Sequence, residues 1–174
     1  MVLEPRVPHG TAIGELLAQL PLFLTYVLSF AFLAIYWNNH HHLLHAASKI
    51  NGRILWANMH LLFWLSLVPF VTGWMGQNHF ASVPTAAYGV VLLFAAIAYY
   101  VLQSFIKTEE GPNSRLSLAL GRDLKGKLSP ILYLLAIPMA FVLQWVSDTI
   151  YVIVALMWLV PDRRIERQIG EQEH

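Results

Sequence analysis

The sequence predicts an all-α, polytopic transmembrane helical bundle. Three observations carry that expectation. Of the 174 residues, 57% are hydrophobic and only 12% are charged, against about 45–50% and about 25% in soluble domains. The apolar residues fall in long continuous runs, not in the short alternating segments of a membrane barrel. Six Trp, seven Tyr and nine Phe suit aromatic belts at two membrane surfaces. The length fits one short-looped domain over residues 1–174 and leaves no room for a separate soluble enzyme domain. With no Cys, disulfides, thiolate metal sites and cysteine nucleophiles are excluded.

Residues 1–15 hold two Pro and two Gly and are expected to be a loop, opening on an apolar Met1-Val2-Leu3 that resembles the last turn of a helix. The first span, about 16–37, is long enough to cross about 30 Å of hydrocarbon. On it and its extension, Thr25, Ser29, Tyr36 and His40 fall within a sector of about 60° at helical periodicity. That stripe is expected to face protein or water. The span closes on Tyr36-Trp37-Asn38-Asn39-His40-His41-His42, followed by a polar helical extension and a break at Asn51-Gly52. The second span, about 55–75, is anchored by Trp56 and Trp74 and carries Asn58 and His60 near its start and Pro69 inside it. Pro69 is expected to kink the helix or open a hydrogen-bond gap that neighbouring helices tolerate.

The third span, about 84–105, is rich in small residues (Ala86, Ala87, Gly89, Ala95, Ala96, Ala98), which let helices approach closely in lipid. The longest loop follows, with a short interfacial helix expected over 114–127. The fourth span, about 128–146, has Pro130 at its start and Pro138 in its middle. Ser147-Asp148-Thr149 reads as a tight connection in which Asp148 caps the next helix. The fifth span, about 147–160, ends at Pro161 before a charged tail.

The loops supply an orientation. Ten of the eleven Lys and Arg fall in alternate segments: the one after the first span, the long loop after the third, and the tail. Positive charge marks the cytoplasmic side, which puts the C-terminus inside. The same rule leaves the N-terminus outside with no cleavable signal, an unusual arrangement that one more helix ahead of Met1 repairs. Six helices are therefore expected in the full subunit, with the first missing from this chain.

Val7-Pro8-His9-Gly10 after a helix end, Tyr36-Trp37-Asn38-Asn39-His40-His41 closing a span, Leu55-Trp56-Ala57-Asn58 opening the next and Pro69-Phe70 within it resemble the prokaryotic TMEM175 family of potassium-conducting channels. The resemblance covers most of the chain from Val2 to about residue 105. It implies a six-helix subunit, a homotetramer in the bacterial inner membrane, and potassium as permeant ion with no cofactor. It also implies a central pore lined by the first helix, whose hydrophobic side chains form the constriction. The family's carbonyl-free selectivity agrees with the lack of a Thr-Val-Gly-Tyr-Gly loop here. By the same resemblance Trp37 and His40, with Asn58 packed beside them, form a polar network that holds the pore helix. No catalytic residue and no metal site is expected. His41 and His45 have the i, i+4 spacing of metal ligands, but zinc wants three or four protein ligands and no acid lies nearby. The basic loop around 122–127 is read as a topology signal with anionic-lipid contact, and not as a nucleic-acid surface. The competing expectation is a small non-channel scaffold or assembly subunit that functions with five helices. An intramembrane enzyme using the His cluster lacks a nucleophile constellation and a carboxylate-rich metal set.

Overall fold

A backbone surrounded by lipid must satisfy its own hydrogen bonds, so each apolar run closes into a helix. The computed structural model describes residues 20–45, 47–111, 114 and 124–159. They form five helices: α1 (Leu20–His45), α2 (Gly52–Gln77), α3 (Ser82–Glu110), α4 (Leu124–Val142) and α5 (Gln144–Leu159). No strand occurs among the described residues. α2, α3 and α4 are long and apolar enough to cross a membrane, and α5 is a shorter apolar helix. α1 carries no charged residue from Leu20 to Trp37. The loop expected over 1–15, residues 115–123 of the interfacial helix expected over 114–127, and the charged tail lie outside the described residues; residues 124–127 belong to α4.

Asn51 caps α2: its side-chain oxygen accepts from the Ile54 amide at 3.1 Å. Pro69 removes one rung from α2, yet the helix runs through it unbroken. The connection to α3 is the tight turn 78–81, where the Phe80 amide bonds back to the Met75 carbonyl at 2.9 Å. Its bend puts two non-glycine residues, His79 (φ 51°) and Phe80 (φ 58°), in the left-handed region.

α3 is the centre of the bundle and packs against both α2 and α4. Its small residues do what their composition predicts. Ala86, Ala95, Ala96 and Ala98 are buried, and a Cβ on Gly89 would overlap the Tyr151 hydroxyl. Gly76 of α2 makes the same kind of close approach to Thr25 of α1. Apolar residues between the helices form two clusters, one around Phe32, Tyr88, Tyr133 and Tyr151, the other around Leu43, Leu61, Tyr99 and Leu102.

One boundary differs from expectation. The chain reverses at Leu143, not at 147–149. Leu143 still bonds back to the Met139 carbonyl at 2.8 Å, and the Val146 amide already bonds to Leu143 at 2.9 Å, so the corner takes a single residue. Ser147 is consequently a buried residue inside α5, and Asp148 lies in the helix and is not its cap. α5 then runs back along α4: Tyr151 meets Tyr133 (ring centroids 6.1 Å apart), and Trp158 donates to Ser129 at 2.8 Å. α4 also starts earlier than expected, so Pro130 lies within it.

The 47–51 connection is tied to the end of α3. Glu110 accepts from the Ser48 amide and hydroxyl at 2.6 and 2.8 Å, and Glu109 accepts from the Asn51 side chain at 2.7 Å. Every Lys and Arg among the described residues (Lys49, Arg53, Lys107, Lys125, Lys127) therefore lies toward this one end. The opposite end, at residues 78–81 and 143, has none.

Two substitutions test this packing. Gly89→Ala is expected to destabilise the purified protein by about 1–3 kcal/mol. It would displace the Tyr151 hydroxyl from the Thr85 carbonyl it donates to at 3.2 Å; unfolding in detergent measures the loss. His79→Gly relieves the left-handed strain at an exposed site and is expected to stabilise by about 0.5–1 kcal/mol in the same measurement.

Candidate functional site

α1 and α2 are antiparallel neighbours joined by a short connection, so residues equidistant from that connection stand at the same height. His40 and Asn58 are such a pair. His40 Nε2 lies 2.5 Å from Asn58 Oδ1; facing an amide oxygen, Nε2 is the donor. Both side chains are half-buried. In a low-dielectric setting such a bond is strengthened, and the loss of either partner leaves the other unsatisfied.

His40 also stands at one end of a groove between α1 and α2, about 410 Å³ in volume. α1 contributes Tyr26, Ser29, Phe30, Leu33, Trp37 and His40, and α2 contributes Leu62, Leu65, Ser66 and Pro69. The lining is predominantly apolar, with hydroxyls at intervals. Of the helical stripe predicted on α1, Ser29 and His40 line this groove. Thr25 and Ser29 are buried, and Ser29 donates back to the Thr25 carbonyl at 3.0 Å. Tyr36 and His40 are half-buried beside them.

Trp37 is placed differently from His40 and Asn58. It is 63% exposed on the groove wall and stacks on His41, with ring centroids 5.2 Å apart and planes 13° from parallel. The structure thus brings His40 and Asn58 into contact and sets Trp37 on the same groove without bonding it to either. His60 accepts from Trp64 Nε1 at 2.9 Å on its own helix. His41 lies with His42 and His45 at ring separations of 6.0 Å. Among the described residues no group of three or more His, Cys, Asp or Glu is placed to hold a metal.

A second polar cluster, not anticipated from the sequence, ties α1 to the far end of the chain. The Asn39 side chain donates to the Ile35 carbonyl at 2.8 Å and to the Trp158 carbonyl at 3.3 Å. Tyr99 donates to the Asn39 carbonyl at 3.4 Å and meets Trp158 edge-on at 5.4 Å. The role of Trp158 depends on partners 29 to 119 residues away, which no local pattern marks.

Comparison with known proteins gives the family. Residues 1–69 match the family described as the endosomal/lysosomal potassium channel TMEM175. A potassium channel of Chryseobacterium sp. (strain P1-3) is 48% identical over 171 residues, covering 98% of this chain and 89% of that protein. A potassium channel of Chamaesiphon minutus (strain ATCC 27169 / PCC 6605) is 25% identical over 168 residues, covering 90% and 83%. The fold matches the crystal structure of a lysosomal potassium-selective channel TMEM175 homolog from Chamaesiphon minutus. The TM-score is 0.72 at 24% identity, over 91% of this chain and 86% of that one. The Chryseobacterium relative, nearly half identical from end to end, decides the assignment: this chain belongs to the TMEM175 potassium-channel family, whose named relatives are channels and not enzymes.

Proposed function

We propose that this protein is a subunit of a potassium-permeable channel that assembles as a homo-oligomer, a tetramer on the family pattern, around a central pore. The supporting observation is the 48% identity to a named potassium channel over 98% of the chain. Conduction on this reading needs no catalysis and no cofactor. A hydrophobic constriction sets the pore dimensions, and ions pass it or do not according to width and wetting. On this reading the apolar α1–α2 groove is the surface on which a pore helix of the assembled channel rests. His40, Asn58 and Trp37 hold it there: His40, bonded to Asn58, stands at one end of the groove, and the exposed indole on its wall meets the incoming helix.

The concentration of basic residues at one end of the bundle supports an orientation in the bacterial inner membrane with the 47–51 connection and the C-terminus in the cytoplasm. The chain contains no native Cys, so single introduced thiols report this cleanly. A membrane-impermeant maleimide is expected to label Gln77→Cys in intact spheroplasts and Lys49→Cys only after lysis. The reverse pattern would invert the orientation.

Function is tested by potassium flux into liposomes reconstituted with the protein. Flux above empty-liposome background is expected; its absence under conditions that preserve the oligomer would favour a scaffold subunit. His40→Ala is expected to leave Asn58 Oδ1 unsatisfied and lower oligomer stability by about 1–3 kcal/mol. Trp37→Ala is expected to reduce flux with little effect on the folding of the single subunit, because the indole makes its only described ring contact with His41 of its own helix. Unchanged stability and flux in both variants would remove the proposed network.

A further inference from the structure

At the basic end of the bundle, α2 and α3 leave a second groove, open to the outside and about 730 Å³ in volume. It is unrelated to the α1–α2 groove. Asn51, Arg53, Trp56, Phe105 and Glu109 are among its lining residues. Their heights follow from helical spacing. Arg53 precedes Trp56 by about one turn on α2, and Glu109 follows Phe105 by about one turn on antiparallel α3. A pair of opposite charges therefore sits one turn outward of a pair of aromatic rings.

Each layer has unspent capacity. Trp56 is 79% exposed and Phe105 39%. Arg53 is exposed and has no ion-pair partner among the described residues. Glu109 is exposed, and its Oε2 accepts from Asn51 at 2.7 Å. A carboxylate has about four acceptor sites, so most of its capacity remains. Placed at a membrane surface, the rings fall at the glycerol and upper acyl level, where indoles favour both an apolar and a polar neighbour. The charges fall at the headgroup level. Two opposite charges side by side do not match an anionic headgroup, which Glu109 would repel. They match a zwitterion.

We propose that this groove seats one zwitterionic phospholipid whose headgroup ends in an ammonium with N–H donors. Its phosphate lies on the Arg53 guanidinium, its ammonium on the Glu109 carboxylate, and its glycerol and upper acyl chain along Trp56 and Phe105. The guanidinium fork suits phosphate, and a charge-assisted N–H bond to carboxylate is available to a primary ammonium but not to a quaternary one. The proposal requires only that the bundle be embedded in a bilayer, so it stands or falls separately from potassium conduction.

The test is lipid binding to the purified full chain in detergent, read by native mass spectrometry with phosphatidylethanolamine, its mono-, di- and trimethylated derivatives, and phosphatidylglycerol. Affinity is expected to fall by about fivefold in total as methylation removes the N–H donors, the scale of one partly exposed ion pair. Glu109→Gln keeps an oxygen for Asn51 and is expected to abolish the preference for the unmethylated lipid while the trimethylated lipid still binds. Arg53→Gln is expected to weaken both equally. Circular dichroism and the elution volume of each variant verify that the fold is kept. Equal affinity for all four methylation states overturns the proposal. So does phosphatidylglycerol binding as tightly as phosphatidylethanolamine, which would make the groove an anionic-lipid site. Retention of the preference in Glu109→Gln, or no binding of any lipid, does the same.

Discussion

The constraint on which this structure depends is that polar groups in an apolar slab must find their partners within the protein. Backbone groups meet it by forming helices. Side chains meet it in two ways. Many hydroxyls return to their own helix: Ser29, Thr72, Ser104, Thr108, Ser129 and Thr149 each donate to the carbonyl four residues earlier. The larger polar groups reach across helices, His40 to Asn58, Asn39 to the Trp158 carbonyl at the end of α5, Tyr99 to the Asn39 carbonyl, Tyr151 to the Thr85 carbonyl. The first set costs nothing in topology. The second set decides which helices are neighbours and at what height.

Water does not drive these helices together, so contact area and closeness must do so. That explains why the central helix is the one richest in Ala and Gly. α3 brings α2 and α4 close on either side, and the large rings of Tyr88, Tyr99, Tyr133 and Tyr151 fill the space between helices where small residues do not. The edge-on ring pairs, Phe32 with Tyr88 at 5.8 Å and Tyr88 with Tyr151 at 5.2 Å, are geometries aromatic quadrupoles favour. Outside this core the surface is studded with exposed Phe, Leu, Ile and Trp, as expected where the solvent is lipid.

The channel reading gives the α1–α2 groove a purpose that five helices alone do not. On that proposal the apolar trough, with a short hydrogen bond at its end and an exposed indole on its wall, receives another helix. The α2–α3 groove differs in kind: it is open, carries both signs of charge and lies at the basic end. The two proposals assign one groove to protein and the other to lipid, and the difference comes from where the charges are.

Much of this was legible in the sequence. The helical class followed from continuous apolar runs with few charges. The buried stripe of Thr25, Ser29, Tyr36 and His40 followed from a 100° step. The clustering of basic residues at one end followed from alternate segments. The family itself was legible in the Trp-Asn-Asn-His and Leu-Trp-Ala-Asn stretches. Each of these is a local or periodic property, which a linear chain displays directly. The tertiary structure alone decided four further points: the chain reverses at Leu143 and not at Asp148, His60 turns to Trp64, Asn39 is the residue that reaches α5, and Arg53 and Glu109 share a groove. Polar residues near a helix end suit a cap, a turn or a buried position equally well by type. Which one they take depends on what the opposite helix presents, and that is set by packing between residues tens to more than a hundred positions apart.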